Sequence, residues 1–261
     1  MDSINKTLYI PLYGKSYVSK RGIFLQDPKA EEIWSAESFP LNGKAKSKWL
    51  AYYMGIRSAV FDDWCRQKIA TYPDAVVLHL GCGLDSRSLR VRPENTVWYD
   101  VDFPVVIQER RRYYQETDVC RMIPGDLRES HWLQVIPRDT HAIVVMEGVS
   151  MYLTRSARTA LLAALAGHFE HASLLLDCYT ELAAKLSSYR NPVKEVGVSA
   201  VYGVNDPMTL ASDTVSFIRE HDMTPTAYTD ELQGMERKIF KALYAGRTSH
   251  KLYRLYEYQI R

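Results

Sequence analysis

From Ala75 onward, short apolar segments alternate with segments of helical character. The apolar segments have the length of buried strands, so each is predicted to join a sheet covered by the intervening helices. This alternation predicts an α/β fold with a mostly parallel sheet and helices on both of its faces. The predicted strands are 75–80, 96–101, 119–124, 141–146 and 172–178, and the predicted helices are 84–90, 104–116 and 154–168.

The two ends of the chain follow other patterns. Residues 1–73 are predicted to form a helical cap or lid, because Trp49, Ile56 and Trp64 recur at helical spacing before Tyr72-Pro73-Asp74 breaks the pattern. Residues 74–261 are predicted to form one α/β domain, in which the pattern lapses over about 180–211 and indicates loops and an inserted cap. The remaining predictions are a helix at 212–220, a short sixth strand at 225–228, a helix at 230–244 and a last antiparallel strand at 251–260.

Composition narrows the class of protein. The formal net charge is only +2 and no long basic block occurs, which argues against a nucleic-acid partner. No apolar run approaches the roughly 18 residues of a membrane span, and the first residues lack a signal-peptide pattern. The four cysteines make no C-x-x-C pair, so neither a zinc site nor a disulfide framework is indicated. We therefore expect a cytoplasmic protein without a metal site.

A glycine turn follows the first predicted strand. Gly81 and Gly83 let the backbone turn sharply and leave no side chain where a ligand must lie close, so both are candidate cofactor contacts. Dinucleotide-binding turns carry a third glycine three positions further on. Here that position is Ser86, which weakens the interpretation as a nicotinamide site.

An acidic residue, Asp102, follows the second predicted strand about 20 residues after the turn. A carboxylate at that place can accept hydrogen bonds from both ribose hydroxyls of an adenosine cofactor. A glycine turn and an acid at this spacing fit NAD and S-adenosylmethionine equally well.

Two further acids follow predicted strands. Asp126 can accept from an adenine amino group while the backbone N–H of Leu127 meets a ring nitrogen; its alternative role is to cap the turn at 129–134. Glu147 faces the crevice beyond the fourth strand, where ligands of open α/β sheets bind, and can pair with an ammonium group. Its alternative role is a salt bridge to a structural arginine such as Arg57 or Arg87.

These residues resemble the signature of the leucine carboxyl methyltransferase family, including its polyketide O-methyltransferase branch. Five motifs occur in the family's order over about residues 10–180. They are an upstream arginine in R-x-x-x-x-D-D (57–63), L-G-x-G-x-D-x-R (80–87), an acidic segment ending in D-F-P (100–104), D-L-R with a following tryptophan (126–128 and Trp132), and E-G-x-x-x-Y-L (147–153). The resemblance implies a class I methyltransferase: a Rossmann-like, seven-stranded sheet with an antiparallel last strand.

The resemblance also implies a role for each matched residue in binding S-adenosylmethionine. Arg57 is expected to meet the methionyl carboxylate, and Lys15, where the match is looser, is a second candidate for that contact. Gly81 is expected to line the cofactor, and the other expected contacts are Asp102 to the ribose, Asp126 and Leu127 to the adenine, and Glu147 to the methionine end.

The expected activity is methyl transfer to an oxygen atom of a small carboxylic acid or phenol in specialised metabolism. A carboxylate is ionised near neutral pH and needs no base, whereas a phenol gains from a base or a cation. Tyr152, one helical turn beyond Glu147, is the candidate catalytic residue that orients the acceptor. A small-molecule acceptor is favoured because Pro11-Leu12-Tyr13 and Asp27-Pro28-Lys29-Ala30 match the polyketide branch. The alternatives are a protein C-terminus, a nitrogen or sulfur acceptor, and a nicotinamide-dependent oxidoreductase.

Overall fold

A computed structural model describes residues 8–37, 39, 41, 43–91, 96–138, 140–190 and 200–261, apart from the side chains of 44 and 188–190. Seven strands form one sheet in the order β3-β2-β1-β4-β5-β7-β6. They are β1 (Val76–Leu80), β2 (Trp98–Asp102), β3 (Cys120–Pro124), β4 (His141–Met146), β5 (His171–Tyr179), β6 (Val215–His221) and β7 (Tyr253–Ile260). β1 to β5 are parallel, and β7 is antiparallel to both β5 and β6. The predicted mostly parallel sheet with an antiparallel last strand is confirmed.

Ten α-helices lie within the described ranges. They are α1 (Tyr9–Lys20), α2 (Pro28–Ala36), α3 (Lys48–Thr71), α4 (Arg87–Val91), α5 (Pro104–Arg110), α6 (Arg155–His168), α7 (Glu181–Arg190), α8 (Thr226–Thr229), α9 (Gly234–Tyr244) and α10 (Gly246–Leu252). Side-chain caps set several of their starts. Asp27 accepts from Ala30 N at α2, and Thr154 accepts from Ala157 N at α6, as its position in the sequence predicts.

Two predictions for the C-terminal third are wrong. The segment predicted as a helix at 212–220 contains most of β6, and the segment predicted as a strand at 225–228 lies largely in the short helix α8. The helix α7 lies in the segment predicted to hold loops and an inserted cap. β6 is an edge strand in which Val215 is buried and Phe217 packs on Tyr256 and Tyr258, while the intervening Ser216 is exposed. Pairing with β7, distant in the sequence, therefore decides its conformation. Residues 191–199 of the predicted insertion lie outside the described residues.

Apolar side chains on the two faces of the sheet belong to two separate cores. Val77 and Ile143 face the long helix α3, whereas Leu78 and Val144 face α6 on the other side. The two cores account for the near-continuous apolar sequence of β1 and β4, because both faces of a central parallel strand are covered.

Helices α1 and α3 cross in close contact over the first core. A methyl group added at Gly14 would lie 2.7 Å from Met54 Cβ, and one added at Gly55 would lie 2.7 Å from Val18 Cγ2. The crossing therefore requires glycine on both helices. It brings α1 over the carboxyl edge of the sheet, where Leu12 and Lys15 face a cavity.

The described helices include none that combines the length and the apolar character needed to cross a membrane. Within the same residues, no three His, Cys, Asp or Glu side chains are grouped as metal ligands would be.

Candidate active site

A cavity of about 670 Å³ opens at the carboxyl ends of the parallel strands, beneath α1 and α3. Parallel α/β sheets bind ligands at this edge. The structure brings all nine candidate site residues to the wall of this one cavity. They are Lys15, Arg57, Gly81, Gly83, Asp102, Asp126, Leu127, Glu147 and Tyr152.

The glycine turn adopts a backbone conformation that other residues rarely adopt. Gly81 has φ of +70° and Gly83 has φ of +52°. A Cβ atom at Gly81 would lie 2.1 Å from Val149 Cγ2, so the segment after β4 leaves no room for a side chain. The buried Ser86, which stands where a dinucleotide site has its third glycine, bonds to Asp27. The turn is thus held by side-chain contacts where a pyrophosphate site would need open backbone.

Asp102 ends β2 with its carboxylate held by two backbone groups. Gly83 N donates to Oδ2 at 2.8 Å and Phe103 N donates to Oδ1 at 2.7 Å. Burial raises the pKa of this carboxyl to about 6, although the two N–H donors act in the opposite direction. A carboxylate accepts more bonds than these two, so Asp102 has the acceptor capacity that two ribose hydroxyls require.

Asp126 and Leu127 lie beyond β3. Arg128 hydrogen-bonds to the Asp126 carboxylate through its side chain, with Nε 2.9 Å from Oδ1, and through its backbone N at 2.9 Å. The side-chain bond lowers the pKa of Asp126 below its usual value. The Arg128 guanidinium also lies 5.9 Å from the centre of the Phe103 ring. This pairing was not predicted from the sequence.

Glu147 is bonded to two arginines. It accepts from Arg57 Nε at 3.0 Å and from Arg87 Nη2, and Ser58 Oγ lies 3.3 Å from its Oε2. Burial opposes ionisation here, but Arg87 and Arg57 outweigh it and lower the pKa of Glu147 to about 2. Both arginines named as alternative partners therefore bind Glu147, which is also one of the residues that line the cavity.

Arg57 connects the cofactor side of the cavity to its other side. Beyond the Glu147 bond, its Nη1 donates to Asp177 Oδ2 at 3.0 Å and to Tyr253 Oη at 3.2 Å. For Nη2, no acceptor is recorded among the described residues. A Cβ at Gly148 would lie 3.2 Å from Nη2, and the glycine leaves that space open. The two N–H groups of Nη2 can therefore receive an anion from the cavity.

Lys15 is buried and pairs with Asp85 at 3.0 Å. Asp85 also accepts from Arg90 at 2.7 Å, and Arg90 in turn bonds to Asp62. The predicted carboxylate contact therefore stands in a buried network of charges that joins α1, α3 and α4.

Four tyrosines converge beyond Arg57. Tyr253 meets Tyr179 and Tyr53 edge-on, with ring centres 4.8 Å and 5.8 Å apart. Tyr152 shares the same wall. No hydrogen-bond partner for the Tyr152 hydroxyl is recorded among the described residues, and burial raises its pKa well above the usual value. Tyr152 is therefore a neutral hydrogen-bond donor next to Arg57.

Sequence reasoning missed Asp177, Tyr53 and Tyr253. Asp177 had a usable signal, because it is the only charged residue in the apolar stretch Leu174-Leu175-Leu176-Asp177-Cys178 of β5. Tyr253 had no local signal, since it reaches Arg57 from a distance of 196 residues along the chain.

Comparison with known proteins agrees with this geometry. Residues 8–166 match the family model of leucine carboxyl methyltransferases. The chain is 31% identical over 204 residues to the tetracenomycin polyketide synthesis O-methyltransferase TcmP of Streptomyces glaucescens, with 76% of each protein covered. It is 29% identical over 182 residues to the S-adenosyl-L-methionine-dependent methyltransferase dpfgK of Gibberella zeae, covering 64% of this chain and 61% of the relative.

Solved structures share the fold. Magnesium protoporphyrin IX methyltransferase of Synechocystis PCC 6803, with bound SAH, has a TM-score of 0.53 at 14% identity and covers 98% of this chain and 100% of its own. The plantazolicin methyltransferase BamL, in complex with a triazolic desmethylPZN analog and SAH, has a TM-score of 0.51 at 12% identity and covers 83% of this chain and 90% of its own.

The sheet order and the solved structures that share it define the class I methyltransferase fold. The family match and the curated relatives identify a methyltransferase that depends on S-adenosylmethionine. The chain belongs to the leucine carboxyl methyltransferase family. A nicotinamide-dependent oxidoreductase, the enzyme alternative, is thereby set aside.

Proposed function

We propose that this methyltransferase transfers a methyl group to an oxygen atom of a small acid, with a carboxylate as the favoured acceptor. The observation that carries the proposal is the composition of the cavity wall beyond the cofactor residues. Arg57 and tyrosine hydroxyls lie on this wall, and every described carboxylate or imidazole on it already has a partner. Such a site receives an oxygen that is already ionised and does not need to remove a proton from it.

On the cofactor side, we assign Asp102 to the ribose hydroxyls, Asp126 and Leu127 to the adenine, and Glu147 to the methionine ammonium. Arg57 Nη2 and the nearby Lys15 are assigned to the methionine carboxylate. S-adenosylmethionine supplies an activated methyl group on its sulfonium. The chain's contribution is alignment and the exclusion of water, because the leaving group needs no further activation.

Two titratable side chains of the cavity wall that could otherwise act as a base, His79 and Glu147, are engaged with other residues. His79 is buried 3.2 Å from Asp100, and burial lowers its pKa, so it stays a neutral partner of that carboxylate. Glu147 is held by two arginines. A carboxylic acid, with an ordinary pKa near 4, arrives as an anion at neutral pH, whereas a phenol with a pKa near 10 does not. This difference favours a carboxylate over a hydroxyl acceptor.

The proposed acceptor is a small molecule of specialised metabolism rather than a protein C-terminus. Support comes from the similarity to a polyketide synthesis O-methyltransferase and from apolar residues that line the cavity, which include Leu50, Leu243 and Leu252. Such residues fit the body of a ring or acyl substrate.

The test uses 3-hydroxy-2-naphthoate, which carries a carboxylate and a hydroxyl on one aromatic body. Incubation with S-adenosylmethionine is expected to yield the methyl ester, identified by mass spectrometry, and Asp102→Ala is expected to abolish most of it. Formation of the methyl ether instead would show that the acceptor is a hydroxyl and not a carboxylate. Methylation of a peptide carboxylate in preference to the naphthoate, or of amine or thiol analogues only, would contradict the proposed acceptor.

A further inference from the structure

Tyr253, the first residue of β7, lines the cavity next to Arg57 and packs against Tyr53 and Tyr179. We propose that Tyr253 contacts the acceptor directly and donates a hydrogen bond to its anionic oxygen, together with the Tyr152 hydroxyl. This inference rests on the proposed function, because it assigns a residue to the acceptor of that reaction.

The hydrogen bond from Arg57 determines what the Tyr253 hydroxyl can do next. Arg57 Nη1 donates to Tyr253 Oη at 3.2 Å, so the oxygen already serves as an acceptor. A phenol hydroxyl can accept and donate at once, and its own hydrogen remains to be donated. No acceptor for that hydrogen is recorded among the described residues, and the side chain lines the cavity.

The ring of Tyr253 is held in place by its neighbours. Tyr179 packs edge-on at 4.8 Å between ring centres and Tyr53 at 5.8 Å. Tyr53 is itself tied to α10, because its hydroxyl lies 2.8 Å from Ser249 Oγ. A donor whose position is fixed before the substrate arrives loses little conformational entropy on binding.

Charge and burial make Tyr253 a donor and not a base. Burial raises the pKa of its hydroxyl well above the usual value, and the neighbouring Tyr179 and Asp177 raise it further. The hydroxyl therefore keeps its proton at any working pH. A neutral donor next to a guanidinium favours an oxygen that arrives with a negative charge.

The position of Tyr253 separates it from the cofactor contacts. The candidate cofactor residues follow β1, β2, β3 and β4, or lie on α1 and α3, whereas Tyr253 begins β7 on the other side of β5. Removal of its hydroxyl leaves Arg57 with the bonds to Glu147 and Asp177. Cofactor affinity should therefore survive when acceptor affinity is lost.

The test compares Tyr253→Phe with Tyr256→Phe. Tyr256 is a matched control because it lies on the same strand, is buried, and donates its hydroxyl to the Asn205 carbonyl at 3.1 Å, away from the cavity. Calorimetry on protein saturated with S-adenosylhomocysteine measures the Kd for 3-hydroxy-2-naphthoate and for the neutral 3-hydroxy-2-naphthamide. A second titration measures the Kd of S-adenosylhomocysteine itself.

We expect Tyr253→Phe to raise the naphthoate Kd about tenfold or more, since a hydrogen bond to a charged group is lost. The naphthamide Kd and the S-adenosylhomocysteine Kd should change by less than about threefold. Tyr256→Phe should change none of the three. The difference between the charged and neutral probes identifies the anionic oxygen as the partner of Tyr253.

Two outcomes overturn the inference, and two others overturn the proposed function on which it rests. Equal naphthoate affinities in the two variants would show that the Tyr253 hydroxyl does not contact the acceptor. A large loss of S-adenosylhomocysteine affinity in Tyr253→Phe would place the residue on the cofactor side. Binding of the naphthamide but not the naphthoate by the wild-type protein would overturn the proposed acceptor class first, and absence of binding by both would do the same.

Discussion

Among the described residues, no cationic side chain donates a hydrogen bond to Asp102; two backbone N–H groups hold it instead. Glu147, by contrast, has two guanidinium partners. Burial favours the protonated form of both carboxyls, but only Glu147 has cations that outweigh it, so the pKa of Asp102 is raised to about 6 and that of Glu147 is lowered to about 2. Of these two carboxyls, only Asp102 gains or loses its proton near pH 6, the pKa to which burial also raises Asp177.

The first prediction concerns the pH dependence of cofactor affinity. Hydroxyl donors bind the ionised form of Asp102, so the affinity for S-adenosylhomocysteine should be greatest above pH 6 and fall by up to about tenfold per pH unit below it. Calorimetry from pH 5 to 8 measures this. Asp126→Asn is the control and should keep the pH dependence, because the pKa of Asp126 lies below its usual value. A constant affinity across this range would contradict the assignment of Asp102 to the ribose.

The second prediction concerns Arg57→Ala. The substitution leaves the buried carboxylates of Glu147 and Asp177 without this partner, and breaking a buried ion pair costs about 3–5 kcal/mol of stability. It should also raise the Kd of S-adenosylhomocysteine by about tenfold or more. Urea unfolding and calorimetry measure the two effects. Adding Asp177→Asn should restore part of the stability but not the affinity, and wild-type affinity in Arg57→Ala would show that the site is wrongly mapped.

At the level of residues, the sequence predicts the site where motifs are local. Gly81, Asp102 and Glu147 each follow a predicted strand, and parallel strands bring their carboxyl ends to one edge. The charge partners are different, because Asp177 and Tyr253 reach Arg57 from other strands and only the sheet order makes them neighbours.

At the scale of elements, β4 is determined by its local sequence, whereas β6 is determined by contacts distant in the sequence. β4 is predicted with its observed bounds, because a central parallel strand is apolar on both faces. β6 is an edge strand with a mixed pattern, and a helix was the wrong prediction for its sequence. Its conformation depends on the ladder with β7, which local propensity does not contain.

The third prediction compares two glycines in helices. Gly55→Ala gains helix propensity but forces a methyl group against Val18, and such overpacking costs about 1–3 kcal/mol, so we expect a net loss of stability. In Gly167→Ala, near the end of α6, the added methyl group meets no atom of the described residues within 4 Å, and the protein should gain up to about 1 kcal/mol of stability. Urea unfolding measures both. Equal effects of the two substitutions would mean that α1 and α3 are further apart than the structure shows.

At the scale of the whole molecule, buried charges form one network beneath the cavity. Its members are the cations Lys15, Arg57, Arg87 and Arg90 and the carboxylates Asp27, Asp62, Asp85, Glu147 and Asp177. The network ties the helices α1, α3 and α4 to the ends of β4 and β5. Buried pairs of this kind add little net stability but are costly to break singly.

The fourth prediction concerns stability against pH. The pKa of Asp102 is raised in the folded protein, so its contribution to stability increases as the pH falls from about 6 towards 4. Burial lowers the pKa of His141 to about 4, with His171 and Lys68 adding to the effect, so its contribution decreases as the pH falls from about 6.5. The Tm difference between Asp102→Asn and wild type should therefore be lower at pH 5 than at pH 7. The corresponding difference for His141→Gln should be higher at pH 5 than at pH 7.

Thermal unfolding at the two pH values measures these differences on ligand-free protein. The control is Asp126→Asn, whose Tm difference from wild type should be the same at pH 5 and pH 7. If the Tm difference from wild type changed in the same direction between pH 7 and pH 5 in Asp102→Asn and His141→Gln, this would contradict the raised pKa of Asp102 and the lowered pKa of His141.

The insertion of β7 between β5 and β6 has a consequence for the order of assembly during synthesis. The residues assigned to the cofactor emerge from the ribosome in the first 147 positions, whereas Tyr253 joins Arg57 only after another hundred have followed. Closing a contact across 196 residues is slow compared with local pairing. We therefore expect the nascent chain to present the cofactor half of the site before Tyr253 completes the acceptor side.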